Sequence, residues 1–275
     1  MLNKITASIV IYKNDPEILH QAVESFLAST ENSMLYLIDN SPTDAFRHAF
    51  LHPRIQYVFN NKNVGFGAGH NIALKKVLET DSVYHLILNP DVYFSADVIT
   101  RLLSYMEAEK NVGLTMPKIL YPDGRLQPLC KLLPSPLTLF SRRFLLLSPQ
   151  WVNRMNYLYE MHFSGYDKIM DVPFLSGCFM FLRTEALRKV GLFDERIFLY
   201  TEDTDLTRRI HQHYRTTFFP DATVYHYHQR ASYKNLIILI HHVSSAIQYF
   251  NKWGWFNDLE RRNINQRILL KFTNE

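Results

Sequence analysis

The chain is organised around the segment Phe198-Leu199-Tyr200-Thr201-Glu202-Asp203-Thr204-Asp205-Leu206-Thr207-Arg208-Arg209. Aromatic and apolar residues give way there to clustered carboxylates, and a helical pattern that ends in paired arginines follows. In a helix, Asp203 lies on the same side as Leu206 and Ile210, at the rim of the face expected to be buried, whereas Glu202 and Asp205 share a neighbouring, wetter side. Partial burial raises the pKa of a carboxyl group, which makes Asp203 a candidate proton acceptor. The alternative is that acidic residues simply favour the first turn of a helix, near the positive end of its dipole.

The composition is that of an ordinary globular protein, with 47% hydrophobic and 20% charged residues among 275. This length holds one large domain, or one domain plus an appendage. The net charge of +4 requires no nucleic-acid partner, and we expect none. Cys130 and Cys178 form neither a metal-binding spacing nor a disulfide framework, which suits a reducing cytoplasm. No run approaches the ~20 apolar residues that cross a bilayer, so we expect a soluble or peripheral protein.

Apolar, β-branched runs alternate with helical stretches in the N-terminal part of the chain. The predicted strands are 5–12, 34–38, 55–59, 83–88 and 111–120. The predicted helices are 16–28, 67–78 and 96–109, the first of them with Asp15 as its N-cap. This alternation predicts an α/β fold with a mostly parallel sheet and helices on both faces. Ligands bind beyond the carboxyl ends of the strands in such sheets, so the polar loops after the strands should converge on one rim.

Two of these loops are candidate binding elements. The first, residues 61–71, has glycines at alternate positions (Gly65, Gly67 and Gly69) before a helix, which allows a ligand to approach the backbone beside a helix N-terminus. Its spacing is not the dinucleotide fingerprint, and a flexible loop is the alternative. The second is Asn89-Pro90-Asp91, in which Asp91 is either a ligand of a hard cation or a turn former.

The C-terminal half is less regular. Residues 121–171 are interpreted as an insertion that shapes an acceptor site, or as a surface excursion without a role in binding. Residues 172–182 are predicted to form a strand in which Gly177 marks a bulge or a close approach by a ligand. Short strands at 216–219 and 222–225 lead to His226 and His228, which face the same way in an extended chain and are either metal ligands or a polar strand edge.

The C-terminal residues 236–275 are predicted to be helical, after a main domain of residues 1–235. An apolar stripe along the first helix consists of Leu236, Leu239, Ile240, Val243 and Ile247. Packing on the core is one interpretation of this stripe, and contact with a membrane surface is the other.

Together these elements resemble family 2 glycosyltransferases with the GT-A fold, particularly the bacterial rhamnosyltransferase-like members. The resemblance covers roughly residues 4–250. It is carried by the motifs Asp39-Asn40-Ser41, Asn63-Val64-Gly65-Phe66-Gly67-x-Gly69-x-Asn71, Asn89-Pro90-Asp91, Glu202-Asp203-x-Asp205-Leu206 and the segment from His226 to Asn235. Asn89 departs from the family pattern, because many relatives carry Asp there, and this should weaken metal binding.

The resemblance implies a role for each matching residue. Asp203 is the expected catalytic base, with Glu202 and Gly177 on the acceptor side. The expected donor-binding residues are Asp39 at the nucleotide base, then Asn63, Gly65, Gly67, Asn71, Asp91 and Arg230. Asp91 and His226 are expected to hold a divalent cation, Mg²⁺ or Mn²⁺.

The reaction implied by the resemblance is an inverting sugar transfer from a nucleotide-sugar donor to a lipid-linked oligosaccharide acceptor. The best-matching donor is dTDP-L-rhamnose, and the product is a cell-surface glycan such as O-antigen or capsule. UDP-galactofuranose, UDP-galactose and UDP-N-acetylglucosamine stay open as donors, as does a nucleotide-sugar-binding protein without activity. The expected location is the cytoplasm, at the anionic inner face of the cytoplasmic membrane.

Overall fold

A computed structural model describes residues 5–139, 148–228 and 236–273. The strands are β1 to β11 in chain order: Ile5–Ile11, Ser33–Asp39, Ile55–Phe59, Tyr84–Leu88, Val92–Phe94, Val112–Leu120, Cys130–Lys131, Met170–Asp171, Phe174–Leu175, Phe179–Arg183 and Arg215–His226. The α-helices are α1 to α8: Pro16–Ser29, Phe66–Val77, Asp97–Ala108, Pro149–Tyr159, Thr184–Val190, Glu202–His211, Leu236–Trp253 and Leu259–Thr273. A short 3₁₀ helix spans His162–Ser164.

The predicted parallel sheet is confirmed in its first half. β1 lies between β2 and β4, parallel to both, and β3 extends the sheet beyond β2. Nearly every residue of β1 is buried, which explains its continuous apolar sequence, because helices cover both faces of such a sheet. Helix α1 begins as predicted, since the Asp15 carboxylate accepts hydrogen bonds from the backbone N–H groups of Glu17 and Ile18.

The second half of the sheet is mixed. The strand order is β3-β2-β1-β4-β10-β6-β11-β5, with β8 beside β11. β10 runs antiparallel to β4 and β6, and β5 runs antiparallel to β11. The predicted strand 172–182 is instead two strands, β9 and β10, separated at Gly177. The two short strands predicted at 216–225 form one strand, β11, with an irregularity between Phe219 and Thr223.

In the described part of the two C-terminal helices, only α8 contributes buried residues to the main core. Ile264 and Ile268 of α8 belong to the main hydrophobic core, and Ala246, Tyr249 and Phe250 of α7 form a cluster of their own. The division predicted at residue 235 stays a prediction. Among the described residues, no helix is long and apolar enough to cross a membrane.

The apolar stripe predicted on α7 is not its buried side. Ile240 and Ile247 are exposed, whereas the buried positions are shifted around the helix toward Ser245 and Tyr249. Hydrophobic spacing predicts an apolar stripe along a helix but not which element covers it. In α7 the buried side includes the polar Ser245 and the aromatic Tyr249 instead. The interpretation of the stripe as a core-packing face is therefore wrong for Ile240 and Ile247, whereas Leu239 and Val243 are half-buried.

Candidate active site

A cleft of about 620 Å³ opens at the carboxyl ends of β4 and β11 and beside the N-terminus of α6. Its walls contain five of the predicted site residues: Asp91, Gly177, Glu202, Asp203 and His226. The predicted insertion also contributes to the walls, through Tyr121, Gln127, Lys131 and Tyr159. The structure therefore brings together, at one site, residues that lie far apart along the chain.

Asp203 is held in place by two backbone amides. Its Oδ2 accepts a hydrogen bond from the N–H of Gly177 at 2.8 Å, and its Oδ1 accepts one from the N–H of Thr204 at 2.7 Å. Burial raises the pKa of Asp203, and the hydrogen bond from Gly177 opposes this increase. The side chain is half-buried at the cleft wall, as its helical position predicts. A carboxylate with these properties can accept a proton from a ligand in the cleft.

Gly177 is close to Asp203 rather than to a gap left for a ligand. A Cβ atom at Gly177 would lie 3.2 Å from the Cβ of Asp203 and 3.2 Å from the ring of Phe66. The close approach that the sequence suggested at Gly177 is therefore made by Asp203. The missing side chain lets the backbone amide reach the carboxylate.

Glu202 and Asp205 are buried, so the wetter side predicted for them is wrong. Helix α7 covers this side of α6, and its Trp253 and Lys252 donate to the Asp205 carboxylate, each at 2.7 Å. Arg209 completes the set at 2.9 Å from Asp205. Sequence spacing placed these residues on a common side, but the C-terminal helix that covers it comes from another part of the chain.

Glu202 differs from Asp205 because its carboxyl group is not fully satisfied. Its Oε2 is buried and has no hydrogen-bond partner. Burial, followed by the neighbouring charge of Asp203, raises the pKa of Glu202 well above its ordinary value. Burial therefore favours the protonated form of the Glu202 carboxyl group, which lines the cleft next to Asp203.

The residues just before α6 have a strained backbone. Tyr200 and Thr201 have φ values of 68° and 60°, in the left-handed region that residues other than glycine rarely adopt. Helix α7 holds this turn, because Thr201 Oγ1 donates to the carbonyl of Ser245 at 3.1 Å and the Tyr200 ring contacts His242. Such strain costs about 1–3 kcal/mol per residue and persists only where the surroundings hold it. The C-terminal helices thus help to place Glu202 and Asp203.

A second anchor joins α6 to the C-terminal residues. The Arg208 guanidinium is 1% exposed and makes two 2.7 Å hydrogen bonds to the Asp258 carboxylate. Glu260 accepts a third at 2.7 Å, and the Trp253 ring lies over the guanidinium at 4.0 Å. Sequence analysis noted Arg208 only as part of a helical pattern, since its partners lie about fifty positions away. No local signal identifies such a pair.

Asp91 and His226 form a carboxylate–imidazole pair in the wall of the cleft. Asp91 Oδ1 lies 3.3 Å from His226 Nε2. Burial alone would raise the pKa of Asp91, but its attraction to His226 lowers that pKa. Burial alone would lower the pKa of His226, but Cys178 and the attraction to Asp91 raise it. Gln127 Oε1 lies 3.0 Å from His226 Nδ1, an arrangement that directs Nε2 toward Asp91 when Nδ1 carries a proton. Gln127 was missed by sequence analysis because it lies in the irregular insertion.

This pair fits a divalent cation that other ligands help to bind. Within 5–139, 148–228 and 236–273, no three His, Cys, Asp or Glu side chains are grouped to hold a metal ion. One carboxylate oxygen and one oriented imidazole nitrogen are nevertheless suitable ligands for Mn²⁺, and phosphate oxygens commonly complete such sites. His228 has a φ of 50° beyond the end of β11, so the extended geometry predicted for the two histidines is wrong.

Asp39 lies at the end of β2, outside the walls of the cleft. It is fully buried, and its carboxylate accepts hydrogen bonds from the N–H of Ser41 at 2.8 Å and the hydroxyl of Tyr57 at 2.5 Å. A nucleobase that pairs with Asp39 must therefore share this carboxylate with Tyr57. Asn40, its neighbour, donates to the carbonyl of Gly65 and so connects β2 to the glycine-rich loop.

The glycines of that loop are explained by packing within the protein. A Cβ at Gly65, whose φ is 90°, would lie 2.2 Å from the carbonyl oxygen of Phe198. At Gly67 a Cβ would lie 2.9 Å from the side chain of Phe193. The space beside both glycines is thus occupied by the segment that leads to α6. The idea that these glycines leave room for a ligand is not needed to account for them.

Asn63 and Asn71 also make internal hydrogen bonds. Asn63 accepts from the N–H of Gly65, which shapes the loop. The Asn71 amide donates to the carbonyl of Phe193 and to Glu195, and its oxygen accepts from the N–H of Phe193. Because the Asn71 side chain is buried and fully engaged, it positions the loop rather than contacting a donor in this structure. Arg230, the remaining predicted donor-binding residue, lies outside the described residues.

Comparison with known proteins identifies the family. The family described as "Glycosyltransferase like family 2" matches residues 3–239. The chain belongs to glycosyltransferase family 2. It is 25% identical to the N-acetylglucosaminyl-diphospho-decaprenol L-rhamnosyltransferase of Mycobacterium tuberculosis, over 98% of this chain and 92% of that protein. It is 24% identical to rhamnosyltransferase WbbL of Escherichia coli K12, over 74% of this chain and 75% of that protein.

The fold of this glycosyltransferase is GT-A, as the resemblance implies. GalNAc-T7, solved with UDP, GalNAc and Mn²⁺, matches with a TM-score of 0.60 and 15% identity over 81% of this chain. The match spans 43% of that structure's length. The mannosyltransferase PcManGT of Pyrobaculum calidifontis, solved with GDP-Man and Mn²⁺, matches with a TM-score of 0.58 and 15% identity, over 89% of this chain and 64% of that one.

Proposed function

We propose that this glycosyltransferase transfers a sugar with inversion, and that Asp203 is its catalytic base. The observation that carries the proposal is the carboxylate held by the amides of Gly177 and Thr204 at the cleft wall. Asp203 accepts the proton of an acceptor hydroxyl as that oxygen attacks the anomeric carbon from the face opposite the leaving group. The new bond forms to the acceptor oxygen while the bond to the nucleoside diphosphate breaks. No covalent intermediate between sugar and enzyme is required.

Glu202 contributes a hydrogen bond to the acceptor. In its protonated form, which burial favours, the carboxyl group can donate to or accept from a hydroxyl, and its buried Oε2 gains a partner when a sugar arrives. A second ionised carboxylate beside Asp203 would repel the first and would compete for the same proton. The raised pKa of Glu202 therefore separates the roles of the two residues.

Asp91 and His226 receive the diphosphate side of the donor. They would hold a divalent cation, Mg²⁺ or Mn²⁺, which supplies positive charge to the departing nucleoside diphosphate. Gln127 keeps the imidazole in the orientation that this role requires. β2 and β4 flank β1, so Asp39 and the end of β4 are separated by roughly 10 Å, a span that a nucleotide can bridge.

We further propose dTDP-L-rhamnose as the donor and a lipid-linked cell-surface glycan as the acceptor. The support is the similarity to two rhamnosyltransferases, one named for a substrate on diphospho-decaprenol. The methyl group of rhamnose requires an apolar wall. Phe66, Leu129 and Phe174 line the cleft and are the candidates for this wall. Leu175 and Phe179 lie next to Phe174 and Gly177 in sequence but are buried outside the walls of the cleft.

The experiment is a panel of nucleotide sugars, including dTDP-L-rhamnose and the UDP-sugars named above, assayed with Mn²⁺. We expect the largest nucleotide release and thermal protection with dTDP-L-rhamnose. Preference for a UDP-sugar would refute the donor while leaving the base assignment intact. Thermal protection without nucleotide release to any acceptor would favour a binding protein without activity.

A glycosidase with paired carboxylates is the alternative class suggested by Glu202 and Asp203. Glycosidases place two carboxyl groups on either side of the scissile bond. Here the two are adjacent on the first turn of α6. A nucleoside diphosphate with Mn²⁺ should protect a transferase against heat but not a glycosidase, so the same assay separates the two classes.

A further inference from the structure

Helix α8 has apolar residues on two opposite sides. Ile264 and Ile268 pack into the main core. On the outward side, Leu259 is 66% exposed and Leu270 is 51% exposed. These two leucines are about three turns apart and lie on one stripe of the helix. A helix that only packs on a core needs a single apolar side, so the outward leucines require another explanation.

An apolar groove of about 540 Å³ runs beside this stripe, between α8 and residues 135–137. Phe256, which is 73% exposed, and Leu137, which is 53% exposed, line it together with Leu269. Arg262 and Gln266 of α8 form its polar rim. The exposed apolar surface therefore extends from the helix onto the neighbouring segment.

The outward side is also positively charged. Glu260 is the only acidic residue of α8, and both it and the preceding Asp258 pair with Arg208 at 2.7 Å. Arg262 and Arg267 are exposed on either side of the leucine stripe. The carboxylates of Asp258 and Glu260 thus pair with Arg208 inside the protein. Arg262 and Arg267 are exposed beside the apolar residues on the outward side.

We propose that this surface docks on an anionic lipid bilayer. The docking surface consists of Leu137, Phe256, Leu259, Arg262, Arg267 and Leu270. The apolar side chains enter the boundary between headgroups and acyl chains, and the arginines contact anionic headgroups. The proposal deepens the proposed function, because a lipid-linked acceptor lies in such a bilayer. The insertion 121–171 supplies residues to both the catalytic cleft and the groove, so docking brings the cleft near the lipid surface.

The test is co-sedimentation with vesicles of phosphatidylcholine and phosphatidylglycerol at low and high salt. We expect wild-type protein to bind at low salt and to dissociate as salt increases. Combining Phe256→Ser with Leu259→Ser should weaken binding at least ~10-fold, because both side chains leave water on docking. Combining Arg262→Glu with Arg267→Glu should weaken binding mainly at low salt and have little effect on vesicles of phosphatidylcholine alone.

Leu51→Ser is the matched control, since Leu51 is 77% exposed but lies between β2 and β3. It should bind vesicles like wild type. Wild-type protein that stays in solution with anionic vesicles at low salt would overturn the proposal, as would unchanged binding by the Phe256/Leu259 variant. A wild-type dimer that this variant dissociates, without any change in vesicle binding, would instead assign the surface to a second copy of the chain.

Thermal protection by UDP or dTDP with Mn²⁺ distinguishes this proposal from the proposed function. All variants of the docking surface should keep the wild-type protection, because none of them lines the catalytic cleft. Absence of protection in wild-type protein would count against the proposed function. Loss of vesicle binding with normal protection would show that only docking was removed.

Discussion

Replacing Asp203 with Asn should remove the catalytic base while leaving the cleft in place. The Asp203 carboxylate accepts one hydrogen bond from Gly177 and one from Thr204. An Asn side chain has one oxygen, so its NH₂ group must face one of these N–H donors. The lost hydrogen bond costs about 1–3 kcal/mol. Removal of a buried charge beside Glu202 offsets part of this loss, so the net change in unfolding free energy should stay below about 2 kcal/mol.

The effect on transfer should be larger than the effect on stability. Loss of a general base lowers the rate at least ~100-fold, or about 2.7 kcal/mol of transition-state stabilisation. Donor binding should persist, because Asp91 and His226 are unchanged. The assay measures nucleotide release at saturating donor and acceptor, with thermal protection by the nucleoside diphosphate as the measure of binding. Turnover by Asp203→Asn within a few-fold of wild type would refute the assignment.

Asp205→Asn is the matched control. The buried Asp205 carboxylate forms ion pairs with Arg209 and Lys252 and accepts a hydrogen bond from Trp253. The variant should therefore lose on the order of 3 kcal/mol of unfolding free energy. Below its lowered melting temperature it should keep most of its transfer rate, because Asp205 does not line the cleft. A control variant that is stable but inactive would show that the two carboxylates had been assigned the wrong roles.

The remaining predictions concern the surroundings of the base. Glu202→Gln should raise the unfolding free energy at pH 8 relative to wild type. The pKa of Glu202 is raised in the folded state, so wild-type protein loses stability as pH rises through that pKa, whereas Gln does not ionise. Urea titrations that give the variant and the wild type equal stability at both pH 5 and pH 8 would contradict this. Gly177→Ala should lower turnover by roughly tenfold or more, since a Cβ there meets the base at 3.2 Å, and wild-type turnover would show that the base tolerates the shift. Asp258→Ala should destabilise the protein by about 3–5 kcal/mol by leaving the buried Arg208 short of a partner, as measured by urea unfolding, and a loss below 1 kcal/mol would be the contrary result. Asp91→Ala should weaken stimulation by Mn²⁺, and full activity of the wild type in chelator would remove the metal from the mechanism.

The buried ion pairs also change how the C-terminal helices should be tested. Deleting residues after Phe250 would remove Asp258 and Glu260 from Arg208 and Trp253 from Asp205. Such a truncation perturbs the base-carrying helix as well as any membrane contact. Substitutions on the outward side of α8 avoid this, because surface changes away from such pairs usually alter stability little.

The sequence by itself determined most elements in the first half of the chain and the placement of Asp203. Strand and helix periods identified β1 to β4 and α1 to α3 to within about two residues, because these patterns depend on burial of alternate or every third and fourth side chain. The same spacing put Asp203 at the edge of the buried side of α6. Both results follow from local geometry, in which a residue's neighbours along the chain decide the direction of its side chain.

Only the tertiary structure decided which elements cover each side of α6. Glu202 and Asp205 were expected to be wet, but both are buried, and a helix that starts about thirty residues later donates hydrogen bonds to Asp205. Gln127 orients His226 across 99 positions of sequence, and Arg208 meets Asp258 across 50. Local spacing carries no information about such partners, since they are set by which elements the whole chain packs together. The electrostatics of the candidate site depend on these distant contacts, because desolvation and charge pairing act through space rather than along the sequence.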